Sequence, residues 1–181
     1  ECERVAEALV GGLLEITRRH QVSSLHVTFP IEPEWERLGR HGFLQRIGLQ
    51  YHFENPGYAD FDAFLGTLAS RKRKQIRRER REVAESGIRL QRLTGSDLEP
   101  RHWEAFYDFY LATADKRWGN PYLTPEFFEE LGRTMADRVL LVLAEKPGGR
   151  PVAGALNLIG RDTLFGRNWG CIADFNFLHF E

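Results

Sequence analysis

Residues 71–81 hold eight lysines and arginines and one acid, Glu79, a local charge of +7 in a chain whose net charge is −1. The other residues together therefore carry −8. Cations at this density repel one another, so the segment calls for a counter-charge. Acidic neighbours within the protein or a phosphate-rich ligand would each serve, and both readings stay open. The ligands that fit are the phosphates of CoA, a UDP-linked sugar, or tRNA. Arg77 and Arg78 lie on the polar part of the segment, whereas Lys72 falls within its apolar stripe with Glu79 and could pair or line a site.

Other residues carry chemistry by spacing. His179 and Glu181 are two apart, so on a strand their side chains share one face, either as proton-transfer groups or as a salt-linked pair. Lys116-Arg117-Trp118-Gly119-Asn120-Pro121-Tyr122 mixes cations with Trp118 and Tyr122 in a loop, a frequent home of binding residues. Phe165, Arg167 and Trp169 alternate on one strand face and Gly166 and Gly170 on the other, with Arg167 either in a cation–π pair or anchoring a ligand. Asn157 sits with Ala153 and Ala155 on a face of small residues, where a buried amide needs partners. His26 on one alternating segment, and Arg46, Gln50 and His52 on another, would form one polar surface if the two strands were neighbours. Arg46 would then hold a carboxylate or phosphate; an exposed sheet face is the plainer alternative. No phosphate-cradling glycine loop and no zinc-ligand spacing is present, so no metal is expected.

The elements that must position these groups follow from periodicity. Residues 3–19 repeat Val5, Leu9, Leu13 and Ile16 with helical spacing. Residues 23–29 and 43–53 alternate as strands, with a short helix at 33–38 between them. One long helix is predicted over 61–86, ended by Gly87, then a strand at 88–93. Ser96-Asp97-Leu98-Glu99 reads as a capping box for a helix bearing Trp103, Phe106 and Tyr110, and Thr124-Pro125 opens another. Residues 139–144, 152–159 and 163–169 read as three successive strands. Helices inserted before an antiparallel meander make this an α+β (mixed α/β) chain.

That order resembles the first half of the GNAT acyltransferase fold. The residues are similar to a narrower group, bacterial peptidoglycan biosynthesis or recognition proteins related to the Fem-type transferases. The stretches that carry the likeness are Arg71-Lys72-Arg73-Lys74-Gln75-Ile76-Arg77-Arg78-Glu79-Arg80-Arg81, Lys116 to Thr124, Val152-Ala153-Gly154-Ala155-Leu156-Asn157-Leu158, Gly166-Arg167-Asn168-Trp169-Gly170 and Phe177-Leu178-His179-Phe180-Glu181. Ser23-Ser24-Leu25-His26-Val27 and Gln50-Tyr51-His52-Phe53-Glu54-Asn55 fit its earlier part. The resemblance implies two GNAT-like units in tandem, with 1–57 the end of the first and 58–181 the beginning of the second. It also implies a fragment of a longer protein, lacking the second unit's cofactor helix. The implied activity is transfer of an acyl or aminoacyl group to an amine, from acyl-CoA or aminoacyl-tRNA, with His179 or Glu181 as the base. The implied acceptor is a small-molecule or cell-wall-precursor amine, with tRNA as a further partner. A non-catalytic module binding an anionic ligand through the basic helix is the alternative.

Bulk properties agree with an ordinary folded protein. The 181 residues are 42% apolar and 12% aromatic, enough to bury a core. Two cysteines, Cys2 and Cys171, make no disulfide framework. With no run of 18 apolar residues and no signal peptide, a cytoplasmic location without membrane attachment is expected. Exposed apolar surface on a truncated unit would favour a homodimer.

Overall fold

Val139-Leu140-Leu141-Val142-Leu143-Ala144 is apolar on both faces, as a strand covered on both sides must be. In the computed structural model, which describes residues 2–116, 119–173 and 175–180, it lies inside a four-stranded sheet. The chain divides into two units, Glu1–Pro56 and Gly57–Glu181.

In the second unit the strands β1 (Arg89–Leu93), β2 (Val139–Glu145), β3 (Pro151–Ile159) and β4 (Leu164–Cys171) lie in the order β1-β2-β3-β4, every pair antiparallel. The expected α+β class, with helices packed on an antiparallel sheet, holds. The β2–β3 hairpin turns through Gly148 and Gly149, whose φ values of 97° and 80° suit glycine and few other residues. Lys146 N–H closes this turn on Arg150 O.

Two helices inserted between β1 and β2 cover one sheet face: α5 (Pro100–Lys116) and α6 (Pro125–Met135). Trp103, Phe106, Phe109 and Tyr110 of α5 meet Phe128 and Leu131 of α6 over Leu93, Val139, Leu141, Leu143 and Leu156. Each such side chain, once buried, contributes roughly 1.5–3 kcal/mol. Pro100 opens α5, so the helix starts later than the expected capping box. Residues Gly95–Asp97 form a 3-10 turn, and His102 Nδ1 accepts the Glu99 N–H at 3.1 Å. Thr124 stands at the N-cap position of α6 with Pro125 in its first turn, as expected, without a side-chain capping hydrogen bond.

The opposite face carries a smaller core of Ala144, Ala153 and Cys171 with Val83 and Leu178. Val83 comes from α4 (Ser70–Glu85), which follows α3 (Phe61–Gly66). The long helix expected over 61–86 is thus two helices. Ile76, Glu79 and Val83 turn inward as expected, but next to the break Arg73 takes the inward place and Lys72 is exposed rather than part of the apolar stripe. Arg73 stabilises the break, its Nη1 donating to Gly66 O and Leu68 O at 3.3 and 3.2 Å, where a cation satisfies carbonyls at a helix C-terminus.

In the first unit α1 (Cys2–Arg19) and α2 (Glu32–Arg40) are joined by irregular chain. Glu7 faces α2 and engages Arg37 and His41. The helical phase differs from the expected one: Val10 is buried, while Val5, Leu9, Leu13 and Ile16 stay exposed. Residues 23–29 and 43–53 are not strands. Period-two alternation supplies two faces, but a strand also needs a neighbour for its N–H and C=O groups. Neither segment has one among the described residues, and Leu49 and Tyr51 are 83% and 93% exposed.

The tightest approach in the second unit lies at Gly170 on β4. A Cβ there would stand 2.2 Å from Phe109 O and 2.6 Å from Phe109 C, both backbone atoms of α5. A Cβ at Gly166 would meet only Asn157 Oδ1, at 3.7 Å. Gly170→Ala is therefore expected to cost about 3 kcal/mol or more, and Gly166→Ala much less, in denaturant unfolding. Equal stabilities of the two variants would overturn this packing.

Candidate functional site

β4 has one residue more than β3 in their shared ladder. Leu156 pairs with Asn168 and Asn157 with Gly166, so Arg167 has no partner and forms a bulge. A bulge re-aims a side chain and reverses the alternation beyond it. Phe165 and Trp169, expected on one face, therefore lie on opposite faces, with Leu158 and Ala155 respectively. Gly170 moves to the α5 face, and Gly166 lies beside Asn157 on the other.

Arg167 is held from outside the sheet. Its Nη2 donates to Tyr122 Oη at 2.7 Å. The loop bearing Tyr122 is itself fixed, because Tyr110 Oη accepts the backbone N–H groups of Tyr122 and Leu123 at 3.0 and 3.2 Å. Tyr110 is buried on α5, so a helix residue sets the position of the Arg167 guanidinium through two links. Sequence reasoning treated Tyr110 as core alone; a tyrosine on a helix face gives no sign of where its hydroxyl ends.

Asn157, Gly166 and Trp169 share the other face of the sheet. Asn157 Nδ2 donates to Leu140 O and Ala155 O at 3.2 and 3.3 Å, which satisfies the amide hydrogens. No donor reaches its Oδ1 among the described residues. Asn168, just past the bulge, turns to the α5 side with its Oδ1 buried and unpaired among the described residues. Such an acceptor costs about 1–3 kcal/mol, so the bulge is maintained against a penalty. The Trp169 ring meets the His179 ring edge-on, at 6.0 Å and 72°. His179 lies in a 3-10 turn, Leu178–Phe180, and not at a strand end, because Phe177 takes φ 65° and turns the chain. Cys171 is a buried free thiol 3.8 Å from Lys116 Nζ. Trp118 and Glu181 lie outside the described residues.

The basic helix is α4. Arg77 pairs with Asp62 at 2.8 Å and Arg78 approaches Glu82 at 3.5 Å. Arg80 stacks over the Phe61 ring at 4.2 Å. Among the described residues no carboxylate pairs with Arg71, Lys72, Lys74 or Arg81. Arg71, Lys74, Gln75 and Arg78, at helical i, i+3, i+4 and i+7 spacing, line a surface groove suited by charge to phosphates.

His26, Arg46, Gln50 and His52 are not assembled into one surface. They lie in irregular chain, where His26 contacts Ser24 at 2.9 Å and His52 contacts Gln50 at 3.3 Å. Without strand pairing, shared parity brings nothing together.

The whole chain, residues 1–181, matches the model of the FemAB-like family, described as peptidoglycan biosynthesis/recognition. Among curated proteins none matches. Among the described residues no helix is long and apolar enough to cross a membrane.

Tyr110→Phe keeps the ring and removes the acceptor of two backbone N–H groups, an expected loss of about 1–3 kcal/mol. Hydrogen exchange should show lost protection at the Tyr122 and Leu123 amides first; unchanged protection there would disprove the linkage to Arg167.

Proposed function

The chain belongs to the FemAB-like family of peptidoglycan biosynthesis and recognition, and on that footing we propose that it serves in transfer of an acyl or aminoacyl group to an amine of a cell-wall precursor. The observation that carries this reading is the β4 bulge, which sets a buttressed Arg167 two residues from Trp169 and its neighbour His179. In such a transfer the amine nitrogen bonds to the acyl carbon, the carbon's bond to the donor oxygen or sulfur breaks, and the amine's proton passes to the leaving atom. His179 is a base of suitable chemistry to carry that proton. The Arg167 guanidinium suits either the negative charge on the acyl oxygen or an anionic group of a substrate. Asn157 Oδ1 is an acceptor suited to orienting the amine N–H. The GNAT-type assignment rests on the resemblance of element order.

The groove of Arg71, Lys74 and Arg78 fits the phosphates of either donor class, acyl-CoA or aminoacyl-tRNA. A bound donor would supply the activated thioester or ester carbonyl. The same groove supports a second reading, a module that binds an anionic cell-wall precursor or RNA without catalysis.

If transfer is the function, His179→Gln should lower kcat about 10²-fold or more with the circular dichroism spectrum unchanged, measured with an aminoacyl or acyl donor and an amine acceptor. Full turnover by that variant would remove His179 from the reaction.

The groove has its own test. Binding of a labelled oligonucleotide or of CoA should weaken with salt, and replacing Arg71, Lys74 and Arg78 by Gln should reduce the log–log slope by about 3. An unchanged slope would exclude the groove as the anion site.

A further inference from the structure

β4 has two sides, and different groups stand on each. Gly170 faces α5, so Trp169 lies on the opposite face, where the His179 ring meets it. Leu178, beside His179, packs in the core that α4 closes through Val83. Arg167 is drawn the other way. Its Nη2 donates to Tyr122 Oη, and the Tyr122 and Leu123 N–H groups donate to the hydroxyl of Tyr110, a buried residue of α5. Leu123 itself packs against the α5–α6 core. The strand thus stands between the guanidinium and the imidazole, and Arg167 is better placed for a remote group of a ligand than for an acyl oxygen beside His179.

Arg167 offers donors that the chain leaves unused. Among the described residues no carboxylate pairs with it, whereas Arg89, Arg101 and Arg133 each have one. Tyr122 takes one hydrogen of Nη2, which leaves Nε, Nη1 and the second Nη2 hydrogen. Because the phenol oxygen accepts from the cation, its own hydrogen points to a different acceptor, and none lies among the described residues. Tyr122 is 70% exposed. Phe165 is 56% exposed, on the side of Leu158, which packs against the α5–α6 core. The donors therefore have aromatic neighbours on their own side of β4. Two links to α5 hold the cation in place ahead of any ligand, and such preorganisation favours binding.

We infer that Arg167 and Tyr122 form a clamp for a free carboxylate, and that in transfer this is a carboxylate of the amine acceptor, bound across β4 from His179. As the acceptor's anchor it rests on the transfer proposed above; as a carboxylate site it stands on the two side chains. A planar carboxylate matches two parallel guanidinium N–H groups, and the phenol adds a third donor. One cation balances one negative charge, whereas a phosphate is better served by the several cations along α4.

Titration of the chain with Nα-acetyl-alanine, followed by NMR at Arg167 Nε–H and the Tyr122 amide, tests the clamp. Saturable shifts in the millimolar range are expected, with Nα-acetyl-alaninamide about tenfold weaker or more, and inorganic phosphate weaker than the carboxylate at these signals. Tyr122→Phe should weaken binding about threefold or more, with protection of the Tyr122-site and Leu123 amides retained as the check on folding. Arg167→Lys keeps the charge without the fork, and should not restore the affinity that Arg167→Gln loses. In turnover, Tyr122→Phe should raise KM for a carboxylate-bearing acceptor, whereas a group serving the acyl oxygen would lower kcat. No saturable shift at Tyr122, equal binding of the amide, tighter binding of phosphate there, or full affinity in Arg167→Lys would overturn the clamp. A lowered kcat with KM unmoved would overturn its role as the acceptor's anchor. Absence of transfer by the unaltered chain would overturn the transfer and that role together, while the titration still decides the clamp.

Discussion

The second unit depends on how closely α5 lies against the sheet. At Gly170 the helix backbone occupies the space a Cβ would fill, and at Gly154 an added Cβ would meet Phe106 at 3.0 Å and Leu143 at 2.9 Å. Two glycines on adjacent strands thus remove side chains where one helix must sit, so that Phe106 and Phe109 become almost wholly buried. Close packing of this kind is intolerant of added volume. It sets the depth of α5, and from that depth follow the reach of the Tyr110 hydroxyl, the course of the 119–124 loop and the position of Tyr122.

The bulge at Arg167 answers to the same constraint. Gly170 must face α5, while Gly166 and Asn157 share the opposite face. Strict alternation already gives positions 166 and 170 the same parity, so one extra residue between them is required. Arg167 is that residue. Its departure from the ladder is geometrically necessary, and its capture by Tyr122 turns the necessity into a positioned cation.

The basic helix has a divided role. Its inner side closes the second core through Val83 and secures the end of α3 through Arg73. Asp62 and Glu82 pair with Arg77 and Arg78, and the groove of Arg71, Lys74 and Arg78 faces outward. Acidic side chains, Glu104, Asp108 and Glu129, line the outer side of α5 and α6 instead, so opposite charges lie on separate features of one unit.

Local pattern was enough for much of this. The three apolar strands, the helix bearing Trp103, the helix opened by Thr124-Pro125 and the charge of 71–81 follow from residue type and periodicity, which act within a few residues. The motifs likewise pointed to the family that the whole chain matches. Tertiary structure decided the rest. Residues 23–29 and 43–53 alternate well but lack a neighbouring strand, so His26, Arg46, Gln50 and His52 never form a surface. The break between α3 and α4 moved Lys72 outward and Arg73 inward, and a single bulge put Phe165 and Trp169 on opposite faces. The links from Tyr110 to the Tyr122 loop and from Tyr122 to Arg167 were invisible for a related reason. Periodicity tells which face a side chain is on, whereas hydrogen bonds depend on what the chain brings opposite that face.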